Sequence, residues 1–480
     1  MNENIAPYII KEINEIPMVL NRHLRSIHNI KYHKRDDFYN LKLRMDNFIE
    51  KKSDKRFFIM PGLRGVGKTT LLFQCYEYLI KQKDIPISDI LYLSCDFINS
   101  ISPTNIREII ETYLKTVHNT TPRLLNKPVF VFLDEVHYDK TWALNAKIIY
   151  DQSPNIFMIF TGSSSLHLNY NADTARRVVT YPILPLNYSQ HLKLKYGYTS
   201  NISDNLINLI FKDEIESAQE KEEKINEDLI NLQDYVESDW DDYFRYGSFC
   251  STLNEIYKED IISSLWSTIS KIITNDIASV YNLNRISQEN VYRVLLLLAS
   301  QKPGQISQNK VASSLGKSTS TINHIFEILE KTQLLFHYQA YGGSNKKARK
   351  SWKYYIATAS LKNSINEKFG NTSINQHDYN GILLENMIAS TLFNLNQSQK
   401  IPRFNTYYDS SNGGVDFIIQ KEFETAIPIE VGLGKKNNKQ IKKAMNKFGS
   451  NHGILISNRT KKIEEKNGIV YITPKTFSFI

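Results

Sequence analysis

A glycine-rich segment that follows a short apolar run is the feature that most constrains the fold of this chain. The run RFFIM (56–60) is typical of a buried parallel strand. It is followed at once by PGLRGVGKTTLLFQCYEYLI, which fits the spacing G-x-x-x-x-G-K-[ST] and continues as an amphipathic helix. A glycine-rich turn with no ligand is the alternative interpretation. The strand before the loop and the helix after it favour a phosphate-binding loop within a parallel α/β sheet.

Each part of this loop has an expected role. The glycines allow backbone N–H groups to wrap phosphates, and the helix N-terminus adds partial positive charge. We expect Lys68 to reach the β- and γ-phosphates of ATP and Thr69 to bind the accompanying Mg²⁺. Together with an aspartate discussed next, the predicted cofactor-binding residues are Gly62, Leu63, Arg64, Gly65, Val66, Gly67, Lys68, Thr69, Thr70 and Asp134.

A second strand ends in two acids. In KPVFVFLDEVH, residues 129–133 form an unbroken apolar run that stops at Asp134 and Glu135. This is the Walker B arrangement, in which Asp134 would hold Mg²⁺ through water and Glu135 would polarise the attacking water. Such a run is weak evidence on its own. Combined with the glycine-rich loop, it predicts ATP hydrolysis.

Polar residues follow a further apolar strand, NIFMIF (155–160), at TGSSS. In ATPases with an extra strand between the two Walker strands, a polar residue at this strand tip senses the γ-phosphate. The candidates are Thr161 and Ser163, although either residue would also serve as a helix cap.

An arginine pair comes next, in NADTARRVVTYPILPLNY. Arg176 is a candidate to stabilise phosphoryl charge, within the same chain or from a neighbouring subunit of a homo-oligomer. A salt bridge is the alternative role for this side chain.

Composition limits the range of protein classes. A chain of 480 residues predicts about two to four domains. No apolar run reaches the roughly eighteen residues of a membrane span, the N-terminus lacks a signal-peptide pattern, and the three cysteines match no metal or disulfide spacing. We therefore expect a cytoplasmic protein that does not contact a membrane.

Positive charge is concentrated near the end of the chain. Residues 427–480 contain 11 Lys or Arg against 3 acids, whereas the whole chain has a net charge of +9. This surplus favours an anionic partner such as DNA. General solubility in a lysine-rich proteome is the alternative explanation.

Three helical patterns and a hairpin follow residue 286. The segments NVYRVLLLLAS, ISQNKVASSLG and KSTSTINHIFEILEKTQLLF predict a helix-turn-helix, with Ser318, Thr319, Ser320, Asn323 and His324 at the exposed start of the third helix. The following YQAYGGSNKKARKSWKYYIA predicts a β-wing whose tip carries Lys346, Lys347, Arg349 and Lys350. Such a winged helix would contact DNA phosphates or pack against the nucleotide domain.

Three acids in the last part of the chain suggest a second metal site. Glu385 lies in an apolar helix, whereas Asp416 and Glu430 lie in successive strands. Carboxylates are suitable ligands for Mg²⁺, so these three residues are candidates to bind a second ion.

The order of these motifs resembles a bacterial and archaeal group of AAA-type ATPases. In that group, a P-loop domain precedes a winged helix and a restriction-endonuclease-like domain of the PD-(D/E)xK type. GLRGVGKTT, FVFLDEVH, TGSSS, ARRVVTYPILPLNY, SWKYYIA, LLEN, VDFII and IPIEVG occur in the expected order. The resemblance implies ATPase activity but no settled biological role.

The nuclease template implied by this resemblance is incomplete. Asp416, Glu430 and Glu385 match its acids, but Gly432 stands where the template has a lysine. Lys435 or Lys436 would have to reach back to replace it. Three interpretations stay open for this domain, namely a metal-dependent nuclease, a DNA-binding fold without cleavage, and a scaffold for a protein partner.

These observations predict an α/β chain with a parallel P-loop ATPase sheet, a helical lid, a winged helix and a C-terminal restriction-endonuclease-like α/β domain. The predicted boundaries are an N-terminal helical segment at 1–50, the ATPase core at 51–195, the lid or insertion at 196–285, the winged helix at 286–365 and the nuclease-like domain at 366–480. The expected function is an ATP-hydrolysing switch whose C-terminal half binds nucleic acid. The alternatives are an ATP-gated DNA nuclease and a signalling or defence ATPase that acts through a protein partner.

Overall fold

The computed structural model describes residues 4–163, 176–278, 285–302, 304, 306–370, 375–398, 400–433 and 438–480. The chain divides into two compact units, residues 1–183 and 184–480. Within the described ranges, no helix has the length and apolar character needed to cross a membrane.

The first unit is built on a sheet of five parallel strands. These are β1 (Phe57–Pro61), β2 (Ile90–Ser94), β3 (Val129–Asp134), β4 (Ile156–Gly162) and β5 (Val178–Thr180). Their order is β2-β3-β4-β1-β5, so β4 lies between the two Walker strands as the sequence predicted. Because all five strands run in the same direction, the glycine-rich loop, Asp134 and Thr161 meet at one edge of the sheet.

In the described part of this unit, six α-helices accompany the sheet. They are α1 (Ala6–Leu24), α2 (Asp36–Ile49), α3 (Lys68–Gln82), α4 (Cys95–Ile101), α5 (Ile106–His118) and α6 (Trp142–Gln152). Apolar residues at three- and four-residue spacing on α1, Ile9 and Ile13, join the same core as Leu91 and Val131. The predicted N-terminal helical segment is therefore packed into the core of this unit.

The second unit contains a sheet of eight strands. These are β6 (Leu335–Ala340), β7 (Lys353–Ile356), β8 (Phe404–Tyr408), β9 (Phe417–Lys421), β10 (Ile427–Val431), β11 (Gly453–Ile456), β12 (Glu464–Lys466) and β13 (Ile469–Ile472). Their order is β12-β13-β11-β10-β9-β8-β6-β7. The antiparallel hairpin β6–β7 joins the C-terminal strands through parallel pairing of β6 with β8. The predicted winged helix and nuclease-like domain thus share one sheet.

Helices account for much of the rest of the second unit within the described residues. In chain order they are α7 (Tyr188–Tyr196), α8 (Ser203–Lys212), α9 (Ile215–Ile230), α10 (Asp239–Tyr246), α11 (Lys258–Lys271), α12 (Arg285–Ser300), α13 (Gln308–Leu315), α14 (Thr319–Lys331), α15 (Ser344–Arg349), α16 (Ala359–Phe369), α17 (Gln376–Gln397), α18 (Lys439–Phe448) and α19 (Pro474–Phe477). A π-helical turn, Ile272–Ile277, continues α11. The larger core lies on one face and includes residues from α7, α8, α9 and α17, whereas the smaller core on the other face includes residues of α18.

The acid-rich helix α9 is not exposed all round. One face of α9 is buried, including Glu222, which accepts a hydrogen bond from the backbone N–H of Ile463 at 2.6 Å. Gln219 on the same helix donates to the Ile463 carbonyl at 2.9 Å. These contacts attach α9 to the residue that precedes β12, an edge strand of the sheet. The sequence composition alone did not reveal this packing.

The three helices α12, α13 and α14 have the order predicted for a helix-turn-helix. Helix α13 ends at Gly316, whose φ of 62° suits a glycine C-cap. In α14, Ile322, Ile325, Phe326 and Leu329 are buried, while the polar residues at its start are exposed. The buried residues of α14 therefore recur at three- and four-residue spacing on one side of the helix. The hairpin tip that follows is the short helix α15.

Candidate functional site

Backbone geometry explains the glycines of the phosphate-binding loop. Gly65 and Gly67 have φ values of 81° and 95°, which side chains with a Cβ rarely adopt. At Gly62 the constraint is space, because a Cβ atom there would lie 2.4 Å from the Ile183 carbonyl oxygen. All three glycines are thus needed by the loop itself.

Backbone carbonyl groups of the phosphate-binding loop orient its lysine, Lys68. Lys68 is the first residue of α3 and is buried, and its Nζ donates to the carbonyl oxygens of Gly62 at 2.8 Å and Leu63 at 3.0 Å. Its positive charge is therefore held within the curve of the loop, where phosphate oxygens bind in sites of this type.

A buried arginine that the sequence did not single out also supports the loop. Arg35, at the start of α2, donates from Nη1 to the carbonyl oxygen of Val66 at 2.6 Å. Its Nε lies 2.7 Å from a carboxylate oxygen of Asp37. A lone arginine thirty residues before the motif carries no recognisable sequence signal, since only the tertiary fold brings it to the loop.

Asp134 is the centre of a hydrogen-bonded group at the end of β3. Thr69 Oγ1 donates to Oδ2 of Asp134 at 2.7 Å, Thr161 Oγ1 donates to Oδ1, and the Tyr92 hydroxyl donates to Oδ2 at 3.3 Å. Burial and the negative charge of Glu135 raise the pKa of Asp134, and the two threonine hydrogen bonds oppose this shift. The adjacent hydroxyl and carboxylate oxygens of Thr69 and Asp134 fit the hard-ligand preference of Mg²⁺.

Glu135 is held by its backbone and its side chain. Its φ of 55° lies in the left-handed region, and its N–H donates to Thr161 Oγ1 at 3.2 Å. Burial acts to raise the pKa of Glu135, but the neighbouring His137 imidazole and the positive charge of Lys68 outweigh it and lower the pKa. Glu135 is therefore ionised at neutral pH, as a residue that accepts a proton or orients water must be.

His137 is a further site residue that the sequence interpretation did not name. Its Nδ1 lies 3.1 Å from Oε2 of Glu135 and 3.4 Å from the backbone nitrogen of Ser163. Because one ring nitrogen cannot donate to Glu135 and accept from Ser163 at the same time, the imidazole tautomer decides which contact forms. Of the two predicted sensor residues, Thr161 contacts both Walker acids through its side chain, whereas Ser163 approaches the site through its backbone N–H.

Arg176 lies at the surface of the first unit. Its side chain is exposed, and its carbonyl oxygen accepts a hydrogen bond from Lys55 Nζ at 3.5 Å. The neighbouring Arg177 forms a salt bridge to Asp151 at 2.6 Å. The guanidinium of Arg176 is exposed, and its role in stabilising phosphoryl charge stays a prediction.

The C-terminal acids do not form the three-carboxylate cluster that the sequence suggested. Glu385 lies 2.5 Å from Lys353 Nζ and accepts a hydrogen bond from the Tyr355 hydroxyl at 3.0 Å. Burial raises the pKa of Glu385, Lys353 opposes this, and the nearby Asp416 adds to the rise. Asp416 in turn accepts the backbone N–H of Val431 at 2.9 Å.

Glu430 lies on the other face of the sheet. Ile429 and its partner Ile454 belong to the larger core, whereas Glu430 is paired in register with Leu455 of the smaller core. Side chains alternate across a strand, so Glu430 points away from the core that contains Tyr355. Among the described residues, no group of three or more His, Cys, Asp or Glu side chains is placed to hold a metal ion. Lys435 and Lys436 lie outside the described residues.

Lys353 is the cation that the sequence interpretation missed here. It lies on β7, in the predicted wing, about thirty residues before its partner Glu385 on α17. Its position in KYYI resembles that of any polar residue in a half-buried strand, so the pattern gave no sign of an ion pair.

Comparisons with protein families identify an ATPase domain in the first part of the chain, whereas the families that match the second unit have no assigned function. A family described as "AAA domain" matches residues 54–192. Two families, each described as a domain of unknown function, match residues 237–372 and 380–477.

Two solved structures match much of this chain at low sequence identity. The RuvB Holliday junction branch migration motor of Thermotoga maritima is 13% identical, with 65% of this chain and 93% of that chain covered and a TM-score of 0.27. The Aeropyrum pernix Orc1 protein in complex with DNA is 13% identical, with 70% and 93% covered and a TM-score of 0.29. At these values the likeness supports no conclusion about activity or partners.

A full-length relative provides the family assignment. The protein named "Uncharacterized protein MJ1637" from Methanocaldococcus jannaschii is 31% identical over 472 residues, which cover 98% of this chain and 93% of the relative. This identity and coverage show that the two proteins are members of one family. The matched AAA domain and the geometry of the Walker residues identify the type of family. The chain belongs to the same family as this archaeal protein, a family of AAA-type P-loop ATPases.

Proposed function

We propose that the first unit binds ATP with Mg²⁺ and hydrolyses it, as the motor of a molecular switch. The observation that carries this proposal is the hydrogen-bonded arrangement of Thr69, Asp134 and Thr161 beside the ionised Glu135. The side chains that would bind Mg²⁺, the acid that would orient water and the polar residue at the tip of β4 all lie at one sheet edge.

The residues of the chain have separate tasks in this proposal. Bound Mg²⁺ would neutralise phosphate charge and be held by Thr69 and Asp134. Lys68 and the loop N–H groups would bind the phosphates, and Glu135 would orient the attacking water. Thr161, which contacts both acids, would keep their positions fixed relative to each other.

The test of nucleotide binding is the Lys68→Met substitution. Because the ammonium group would be lost from the phosphate site, we expect ATP affinity to fall by at least about tenfold, which corresponds to ~1.4 kcal/mol. Binding of a fluorescent ATP analogue would measure the change. Lys81→Met, at the other end of α3, removes an exposed ammonium group that pairs with Glu77; it is the matched control and should bind ATP normally. Equal affinity in the two variants would contradict the proposal.

A second proposed function is nucleic-acid binding by the second unit, with α12–α14 and the β6–β7 hairpin acting as a winged helix. Two observations favour it. The exposed start of α14 presents hydroxyl and amide groups, including Ser320, Thr321 and Asn323, which suit contacts to phosphate and base edges. The hairpin tip and α18 carry clustered lysines.

Salt dependence tests this second function. Contacts between lysine or arginine and phosphate release counterions, so the affinity of the purified chain for DNA should fall steeply between 50 and 200 mM salt, by about 10³-fold if six phosphates are contacted. Fluorescence anisotropy with labelled DNA would measure it. Binding that is absent, or that does not change with salt, would contradict nucleic-acid binding and would favour a signalling or defence ATPase with a protein partner.

A metal-dependent nuclease is less well supported than nucleic-acid binding. No observation among the described residues favours a metal-bound carboxylate cluster, because Glu385 is paired with Lys353. Assembly into a homo-oligomer stays a proposal for the first unit. It is consistent with the exposed side chain of Arg176, which could act outside its own chain.

A further inference from the structure

Two helices of the second unit carry positive charge without any acid. Helix α15 and the residue after it contribute Lys346, Lys347, Arg349 and Lys350, and α18 contributes Lys439, Lys442, Lys443 and Lys447. We call these eight residues the basic face. The two groups are about ninety residues apart in the sequence, and nothing in the sequence pattern indicates that they meet.

Aromatic contacts bring the two helices together. Tyr341, just before α15, contacts Phe448 at the end of α18, with ring centroids 5.0 Å apart. It also contacts Tyr407 of β8 at 5.5 Å. Tyr341, Tyr407 and Phe448 pack against the smaller core, on the same sheet face as α18. The hairpin tip and α18 therefore lie on the same side of the sheet.

Basic side chains lie on both sides of this aromatic group. On the hairpin side, Lys347 Nζ lies 4.4 Å from the centre of the Tyr407 ring and donates to the Tyr407 hydroxyl at 3.0 Å. On the α18 side, Lys447 lies 2.9 Å from a carboxylate oxygen of Asp409. Arg349, Lys350, Lys442 and Lys443 are exposed to solvent. The charges of the two helices thus form one surface and not two separate patches.

The helical pattern of α18 explains why its lysines face outwards. Ile441 and Ala444 are buried beneath the helix, and Met445 and Phe448 pack beside them. Four of the six remaining positions are lysines and the other two are neutral amides, so the side of α18 that faces solvent is cationic and carries no acid. The fold therefore fixes the direction in which these charges point.

We propose that the basic face is one continuous binding surface for the backbone of a nucleic-acid duplex. This inference rests on the nucleic-acid binding proposed above and assigns it a surface and a substrate class. Lysine and arginine contact phosphates independently of base sequence, so the surface would bind duplexes of any sequence.

The chemistry of the surface favours a duplex over a single strand. Proteins that bind single strands present aromatic rings on which bases stack. Here the three aromatic rings are half-buried and pack on one another, and Lys347 covers one of them. The exposed charges of the two helices are all positive, which matches a phosphate backbone.

Paired substitutions on the two helices test the proposal. One variant is Arg349→Gln with Lys350→Gln, and the other is Lys442→Gln with Lys443→Gln. Each pair removes two phosphate contacts, so each should weaken binding of a 16-base-pair duplex about tenfold in 100 mM salt. Each should also lower the slope of log K against log salt concentration by about two. The fourfold variant should lose about 100-fold, and wild type should bind duplex more tightly than a single strand of the same length.

Matched controls separate this proposal from general charge effects. Lys221→Gln with Lys224→Gln removes the same charge from exposed positions of α9 and should leave affinity unchanged. If wild type binds duplex but one basic-face pair has no effect, or if a single strand binds more tightly, the proposal is overturned while nucleic-acid binding stands. If wild type binds vesicles of anionic phospholipid and no nucleic acid, both proposals fail.

Discussion

The substitution Glu135→Gln should abolish ATP turnover while leaving ATP binding intact. The amide keeps the size of the side chain but loses the negative charge that would orient and polarise water. General-base contributions are typically 10²–10⁴-fold, so we expect the rate of phosphate release to fall by at least about 100-fold. The hydrogen bond from the Glu135 N–H to Thr161 involves the backbone and should persist.

Phosphate release and binding of a fluorescent ATP analogue, measured on the same preparation, would check this prediction. Glu111→Gln is a suitable control, because Glu111 lies on α5 of the same unit in a surface pair with Arg107. The control should hydrolyse ATP at the wild-type rate. Unchanged turnover in Glu135→Gln would mean that another group activates the water.

The substitution Lys353→Met should destabilise the second unit. It would leave the Glu385 carboxylate, whose side chain is only 17% exposed, near Asp416 without its cation. Removal of one partner of a buried ion pair typically costs 3–5 kcal/mol, so we expect the free energy of unfolding to fall by about 3 kcal/mol. Denaturant unfolding followed by tryptophan fluorescence would measure the loss.

The stability lost in Lys353→Met should be smaller at low pH than at high pH. Without Lys353, the pKa of Glu385 should rise further in the folded state, so the folded chain would bind a proton more readily than the unfolded chain. The free energy of unfolding of the variant then falls as pH rises above the ordinary pKa of glutamate. The difference in this free energy between wild type and variant should therefore be smaller at pH 5 than at pH 8. A deficit that is independent of pH would show that Lys353 stabilises the fold by packing alone.

Two further variants complete this comparison. Glu385→Gln combined with Lys353→Met removes both charges, so it should recover part of the lost stability. Lys331→Met breaks an exposed pair with Glu327 on α14 and should cost less than about 1 kcal/mol. A similar loss from Lys331→Met and Lys353→Met would show that the pair at Glu385 is no better shielded from solvent than the exposed pair on α14.

The sequence was sufficient for the ATPase residues because their geometry is local. The glycines, Lys68 and Thr69 are contiguous, and the loop conformation follows from the residues themselves. Asp134 and Thr161 end strands of one parallel sheet, so a parallel order was enough to bring them to the same edge. Arg35 and His137 were missed because their contacts depend on side-chain directions that no spacing rule encodes.

In the C-terminal unit, the positions of the acids depend on contacts between distant parts of the chain. The strand containing Glu430 was predicted, and the residue does lie in β10. The sequence did not show that Glu430 points to a different face of the sheet from Glu385, because this depends on which helices cover each face. Lys353 reaches Glu385 only because the predicted wing and the C-terminal strands share one sheet.

By itself, the sequence determined the class of the first unit, its nucleotide loop, its Walker acids and the excess of positive charge near the C-terminus. These are properties of short segments, set by backbone conformation and residue type. Only the tertiary structure decided that Glu385 pairs with Lys353, that Glu430 lies on the opposite face, and that two distant basic helices form one surface. The physical reason is that such relations depend on long-range strand pairing and on which face of a sheet each helix covers, and neither is encoded in local periodicity.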